Sequence, residues 1–225
     1  MDPTTSAGFL PSLIDAFQKG GTFMYPIAVT FGISIAFIIE RFSRLYSTYS
    51  VGSAESFMVE IQKYVLANDV DGAIRICNGA NKAVLPRVIK AGLQRASRDE
   101  NQIQNAIDAA SLEVIPKLET KLNYLALIAN IATLLGLLGT ISGLINSFAA
   151  IALADATQRQ AILSNGIAEA MNCTAFGLIV AITTMIMHSV LTSKATKLTE
   201  EVDEYGVKLL DLLSAKKYQH SAEKV

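Results

Sequence analysis

The chain has 225 residues with a formal net charge of −1, and 51% of its residues are hydrophobic while only 17% are charged. In a soluble domain, about a quarter of the residues are usually charged. The apolar residues of this chain also lie in long uncharged runs of the kind that cross a bilayer. The balanced charge and the lack of a Lys/Arg-rich tract give no indication of nucleic-acid binding, and two cysteines far apart in the sequence do not make a metal site.

The first 41 residues predict an interfacial helix followed by a first span. Apolar residues at helical spacing indicate an amphipathic helix within residues 1–21 that lies in the membrane interface; they are Phe9, Leu10, Leu13, Ile14 and Phe17. The apolar run from Thr22 to Ile39 reaches the length of about 18 residues that marks a candidate span. We therefore predict the first transmembrane helix over residues 22–41.

Residues 42–120 predict a cytoplasmic region built from helices. Apolar positions recur there at helical spacing, and Asn68–Asp69 and Asn78–Gly79 mark turns. Pro86 suits the first turn of a helix, whereas Pro116 is expected to kink the approach to the second span.

Two further spans follow as an antiparallel hairpin. The second, predicted over residues 121–154, carries no charge after Lys121. A helix of that length covers roughly 45–50 Å against ~30 Å of hydrocarbon, so it projects from the bilayer. A polar connection over 155–167 leads to a third span over 168–193, and an amphipathic helix follows over 194–225. The predicted fold is all-α, a polytopic membrane protein with three transmembrane helices and a helical cytoplasmic bundle.

Basic residues flank these spans unevenly. A three-span topology places six of them on one side of the membrane: Arg41, Arg44, Lys117, Lys121, Lys194 and Lys197. The other side has only Lys19 and Arg159. Because the side richer in Lys and Arg is normally cytoplasmic, we predict an N-terminus outside and a C-terminus in the cytoplasm.

The second and third spans each carry a stripe of small and hydroxyl-bearing residues on one helix face. Spacing by three and four aligns Thr133, Gly136, Thr140, Gly143 and Ser147 in the second span. Heptad spacing aligns Ala170, Thr174, Gly177, Ala181, Thr184 and His188 in the third. Small residues let helix backbones approach closely, and threonine can bond its own helix, so the spacing alone favours packing. The alternative is that the stripes line a narrow polar pore.

Glu169 opens the third span from the outer side. An ionisable group at membrane depth suggests a function, while the structural alternative is a carboxylate stabilised at a helix N-terminus. No Asp, Glu, Lys or Arg lies at mid-membrane depth in any predicted span. If protons cross here, another chain therefore supplies the carboxylate that carries them. No catalytic or ligand cluster is present in the sequence, so we predict a protein that is not an enzyme and has no cofactor or metal.

Two segments closely resemble the ExbB/TolQ/MotA proton-channel family. They are LALIANIATLLGLLGTISGLINSF at residues 125–148 and GIAEAMNCTAFGLIVAI at residues 166–182. The Glu40–Arg41 ending of the first span and the chain length fit the ExbB/TolQ branch, including a motility-motor paralogue of that branch.

This resemblance implies a ring-forming subunit of a proton-driven motor in the bacterial inner membrane, with a periplasmic N-terminus. The ring is homo-oligomeric, a pentamer in the better-known members, and encloses an ExbD/TolR-like single-span partner whose aspartate carries protons. Thr140 and Thr174 match the family's pore threonines, and Glu169 matches its glutamate at the third span. The resemblance therefore raises the pore interpretation of both stripes above simple packing. The work done on the envelope is transport, maintenance of envelope integrity or gliding motility.

The sequence departs from the family at Thr133 and Thr183, where the family usually has prolines. Each change removes a helix-interrupting ring and adds a hydroxyl, as expected of a straighter, more polar channel or a specialised motility motor. Sodium in place of protons is an alternative, because threonine oxygens can help to coordinate a cation. A structural membrane scaffold without ion flux is the alternative from a different class of protein.

Overall fold

The structure is a computed structural model that describes residues 20–222, with side chains described up to residue 217. The described residues are predominantly helical and contain no strand, which confirms the predicted all-α fold. The interfacial helix predicted within residues 1–21 lies almost wholly outside the described residues and stays a prediction.

Seven α-helices follow one another within residues 20–222. They are α1 (Met24–Ser43), α2 (Ala54–Leu66), α3 (Val70–Gly79), α4 (Val84–Leu93), α5 (Glu100–Glu119), α6 (Leu122–Leu153) and α7 (Arg159–Ala222), and a π-helical turn (Arg44–Thr48) extends α1. In this described part, three helical segments are long and apolar enough to cross a membrane, namely Met24–Thr48, Glu100–Leu153 and Arg159–Lys217. The predicted spans over residues 22–41, 121–154 and 168–193 overlap these segments, and the first two extend one or two residues beyond them.

The chain divides into two compact units, which we describe separately. The first, called the membrane unit, joins residues 20–39 to 123–189. Its core is built from small and apolar side chains of α1, α6 and α7: Met24, Ile27, Ala129, Ala132, Cys173, Val180 and Ala181. Large apolar side chains such as Leu134, Ile145 and Ile182 are exposed on its surface. Lipid solvates such side chains as well as a protein core does, so an apolar surface suits a unit that lies in a bilayer.

The second unit, called the helical unit, joins residues 40–122 to 190–222. Helix α4 packs against both α3 and α5, and the buried core includes Ile61, Ile89, Leu93, Ile103, Leu118 and Leu209. Local capping fixes two helix starts. The Ser53 hydroxyl accepts a hydrogen bond from the backbone N–H of Ser56 at 3.3 Å, and the Asp69 carboxylate accepts one from Gly72 at 2.7 Å. Asn68 has a φ of 64°, so the predicted turn before α3 is present.

The helix before the second span breaks later than Pro116, which corrects the predicted kink. Pro116 lies in the last turn of α5, and the break comes at Lys121, whose φ is 68°. Helix α5 ends at Glu119, and the hydroxyl of the following residue, Thr120, donates to the carbonyl of Pro116 at 2.7 Å. The ammonium of Lys121 donates to both carboxylate oxygens of Glu40 at 2.8 and 2.9 Å. This pair offsets part of the cost of about 1–2 kcal/mol for a left-handed residue that is not glycine.

The connection between the last two spans is also shorter than predicted. Helix α7 begins at Arg159, inside the polar stretch predicted over residues 155–167. Gln, Ala and Leu in its first turns are good helix formers, and the Arg159 side chain donates to the carbonyl of Ala154 at 3.1 Å. The helix then continues to Ala222, so the third span and the predicted C-terminal helix are one helix.

Candidate functional site

The two predicted stripes contact each other inside the membrane unit. Helices α6 and α7 are antiparallel there, with Gly136 opposite Thr174 and Gly177, and Gly143 opposite Ala170. A Cβ atom added at Gly177 would lie 3.0 Å from Cα of Gly136, and one added at Gly143 would lie 3.1 Å from Cβ of Ala170. Such close backbones are possible only because these positions lack side chains.

A hydrogen bond crosses this contact. The hydroxyl of Thr174 donates to the backbone carbonyl of Gly136 at 3.0 Å. That carbonyl is reachable because glycine leaves the backbone of α6 uncovered at this point. The bond fixes the orientation of the Thr174 side chain at the margin of the interface, where it is half-buried.

The other stripe hydroxyls bond their own helices. Thr133 donates to the carbonyl of residue 129 at 3.2 Å, Thr140 to that of residue 137 at 2.6 Å, Ser147 to that of residue 143 at 2.7 Å, and Thr184 to that of residue 180 at 2.8 Å. Each donor proton is thereby used locally, while each oxygen keeps lone pairs that can accept further hydrogen bonds.

Burial divides the predicted site residues into two groups. The buried group lies inside the unit and consists of Gly136, Gly143, Ser147, Gly177, Ala181 and Thr184. The remaining four keep surface outside the hairpin: Thr140 and Thr174 are half-buried, and Thr133 and Glu169 are exposed. Packing within one chain therefore accounts for the first group, and the second group is available to another chain.

The carboxylate of Glu169 lies against the turn that precedes α1. Gly21 in that turn has a φ of 72°, and a methyl group added there would overlap the Glu169 oxygen Oε1 and lie 2.8 Å from its Cδ atom. Two reasons therefore favour glycine at position 21: it adopts the positive φ without strain, and it leaves space for the carboxylate. Sequence reasoning missed this contact, although the Gly20–Gly21 doublet directly before the first span was a visible signal.

Within the predicted spans, the charged side chains lie at or next to the span ends: Glu40, Arg41, Lys121 and Glu169. Among the described residues, no group of three His, Cys, Asp or Glu side chains is placed to hold a metal ion. Among the predicted site residues, the polar side chains are therefore hydroxyls and the carboxylate of Glu169.

Comparison with known proteins extends these observations. The sequence profile of the MotA/TolQ/ExbB proton channel family matches residues 80–204, more than half of the chain. A biopolymer transport protein named ExbB-like 1 from Synechocystis sp. is 29% identical over 189 residues, which cover 81% of this chain and 72% of that protein. A biopolymer transport protein named ExbB homolog from Methanothermobacter thermautotrophicus is 24% identical over 212 residues, covering 91% and 70%. The Tol-Pal system protein TolQ of Haemophilus influenzae is 30% identical over 104 residues, covering 44% and 45%.

Fold and site together define a multi-pass membrane protein in which two antiparallel spans meet along small residues and threonines. The profile match covers both of these spans. The chain belongs to the MotA/TolQ/ExbB proton channel family, on its ExbB/TolQ side, which confirms the resemblance carried by residues 125–148 and 166–182.

Proposed function

We propose that this chain is the ring-forming subunit of a proton-driven motor in the bacterial inner membrane. With an ExbD/TolR-like single-span partner it converts the proton motive force into mechanical work on the envelope. One observation carries the proposal: Thr140, Thr174 and Glu169 keep surface outside the hairpin, while the described spans offer no carboxylate at mid-membrane depth.

The threonines suit a pathway that surrounds a partner's aspartate. A hydroxyl can accept a hydrogen bond from a protonated carboxylic acid and donate one to an ionised carboxylate, so it can serve both states of the group. Polar contacts of this kind lower the cost of an ionisable group inside the bilayer. Thr140 and Thr174, with Thr133 nearby in the stripe, would provide them on the surface that faces the partner.

Glu169 would act at the outer mouth of this pathway. Its carboxylate attracts cations toward the span, and the uncovered backbone at Gly21 gives it room at the start of the first span. The buried group of stripe residues would position the threonines by fixing the hairpin. In this proposal those buried residues do not contact the ion.

Assembly and orientation follow from the surface of the chain. The exposed apolar side chains of the membrane unit would contact lipid and neighbouring copies in a homo-oligomeric ring, a pentamer as in the better-known members of the family. The basic residues flanking the spans would face the cytoplasm, with the N-terminus periplasmic and the C-terminus cytoplasmic. Transport, envelope integrity and gliding motility are the processes that such a motor would power.

The test is proton flux into liposomes that contain the purified chain and its partner. The double variant Thr140→Val/Thr174→Val keeps the side-chain shape but removes both hydroxyls. We expect flux to fall at least tenfold while ring assembly stays intact. The double variant loses one hydrogen bond between helices, and such a bond contributes only about 1–2 kcal/mol to stability in model peptides. Full flux in the double variant would overturn the proposed role of the threonines.

A matched control and a second gradient separate the alternatives. Thr30→Val removes a hydroxyl on α1 that donates to the carbonyl of Pro26 at 2.8 Å, and it should leave the flux unchanged. A sodium gradient at constant pH should drive no flux if protons are the ion. A scaffold without ion flux predicts no flux in either gradient, even with the partner present.

A further inference from the structure

A long basic segment lies in the helical unit. Residues 72–98 contain six basic side chains and no acidic one, in a chain whose net charge is −1: Arg75, Lys82, Arg87, Lys90, Arg95 and Arg98. Arg75 is paired with the carboxylate of Asp69 at 3.6 Å. Acidic residues adjoin the segment only at its two ends, as Asp71 on one side and Asp99 and Glu100 on the other.

The fold gathers three of these cations around one cavity, here called the basic pocket. It has a volume of about 320 Å³ and is lined by Cys77, Asn81, Lys82, Pro86, Arg87 and Lys90. Asn81 and Lys82 come from the turn after α3, and Arg87 and Lys90 stand one turn apart on α4. A water molecule occupies about 30 Å³ in the liquid, so the space is ample for a phosphate group.

The three cations make no ion pair with any acidic side chain that the structure describes. Among the described residues, none of the ion pairs within 4.0 Å involves Lys82, Arg87 or Lys90. Glu113 on α5 is the acid that Arg87 influences, but its pKa is lowered chiefly by a hydrogen bond from Lys117 at 2.8 Å. Like charges that share one cavity repel each other, and a bound anion relieves that repulsion.

The start of α4 is bonded to the segment that follows the first span in the sequence. The backbone N–H of Val84, at the start of α4, donates to the carbonyl of Tyr49 at 3.1 Å. Tyr49 follows Arg41 by eight residues, and a helical turn covers Arg44–Thr48 between them. At 1.5 Å per residue, this places Tyr49 within about 12 Å of the last residue predicted for that span.

We propose that the basic pocket binds the phosphate group of an anionic ligand, either the headgroup of an acidic phospholipid or a small soluble phosphate ester. The planar guanidinium of Arg87 can donate two parallel hydrogen bonds to phosphate oxygens, and two ammonium groups and the Asn81 amide supply further donors. Clusters of Lys and Arg just inside a membrane are typical of acidic headgroup recognition. This site is separate from the ion pathway and does not depend on the proposed motor function.

The test uses the purified full-length chain and a pocket variant, Lys82→Gln/Arg87→Gln/Lys90→Gln. In one arm, native mass spectrometry measures the retention of phosphatidylglycerol against phosphatidylcholine. In the other, titration calorimetry measures the binding of glycerol 1-phosphate. Since each cation near an anionic surface contributes about fivefold, we expect affinity for the anionic ligand to fall on the order of 100-fold in the pocket variant.

A control variant removes the same charge from exposed positions of the same unit, by Lys63→Gln/Arg95→Gln/Arg98→Gln. Both variants must match the unmodified chain in gel-filtration elution and in melting temperature. If the pocket variant misfolds, it is replaced by Arg87→Lys, which keeps the positive charge but cannot make two parallel hydrogen bonds to a phosphate group. If the pocket variant, but not the control, loses binding of phosphatidylglycerol, the site binds a lipid headgroup. If it instead loses only the binding of glycerol 1-phosphate, the site binds a soluble phosphate ester. Unchanged binding of both ligands in the pocket variant, or an equal loss in the control, would overturn the proposal.

Discussion

Substituting Gly177 with alanine tests the close contact between α6 and α7. The added Cβ would lie 2.8 Å from the carbonyl oxygen of Ala132 and 3.0 Å from Cα of Gly136. Both of these are backbone atoms, so no side chain can rotate away and the helices must separate by several tenths of an ångström. Overpacking of this kind costs about 1–3 kcal/mol. Separation would also lengthen the hydrogen bond from Thr174 to the Gly136 carbonyl, which is 3.0 Å long.

Gly32 on α1 provides the matched control, because a Cβ atom added there would have no atom of another segment within 4 Å. Alanine is favoured over glycine in a helix interior by about 1 kcal/mol, so Gly32→Ala should be neutral or stabilising. The difference in the free energy of unfolding between Gly177→Ala and Gly32→Ala should therefore be about 1–3 kcal/mol. It can be measured by SDS titration of the purified chain with circular dichroism. Equal stability of the two variants would refute the close packing of the hairpin.

Two other predictions concern Gly21 and Cys77. Gly21→Ala and Gly52→Ala, both at positive φ, should lose similar stability of about 1–2 kcal/mol. Only the first displaces the Glu169 carboxylate, so only it should lower proton flux several-fold, and equal flux in both variants would contradict that role. Burial raises the pKa of the Cys77 thiol to about 11, so its alkylation, followed by peptide mass spectrometry, should be at least 100-fold slower at pH 8 than in the denatured chain. The pKa of this thiol is higher in the folded chain than in the unfolded chain. The stability that the neutral thiol contributes is therefore complete below about pH 9 and is lost as the pH rises toward 11. Fast alkylation at pH 8 would refute the burial of Cys77.

The spans and their contact faces were predictable because they depend on local sequence. Long runs without charge can lie only in a bilayer or a core, and spacing by three and four puts Gly136, Thr140 and Gly143 on one face whatever lies opposite. Periodicity does not identify the partner of a face. The division of the stripes into buried and exposed residues therefore needed the structure.

The features that sequence reasoning missed depend on contacts between distant residues. Lys121 adopts a positive φ where its ammonium reaches Glu40, 81 positions earlier in the chain. Gly21 lies against the carboxylate of Glu169, although the two residues are far apart in the sequence. No local propensity predicts either pairing, and the Pro116 rule failed because a proline near the end of a helix need not interrupt it.

The central claim is that this chain conducts protons only around a carboxylate that a partner supplies. Proton flux should be measured in liposomes containing the purified chain alone, the chain with its single-span partner, and the chain with a partner whose transmembrane Asp is replaced by Asn. We predict background flux for the chain alone, rapid flux with the unmodified partner, and a return to background with the Asn variant. Equal flux from the chain alone, or flux that survives the replacement of the partner's Asp, would contradict the claim.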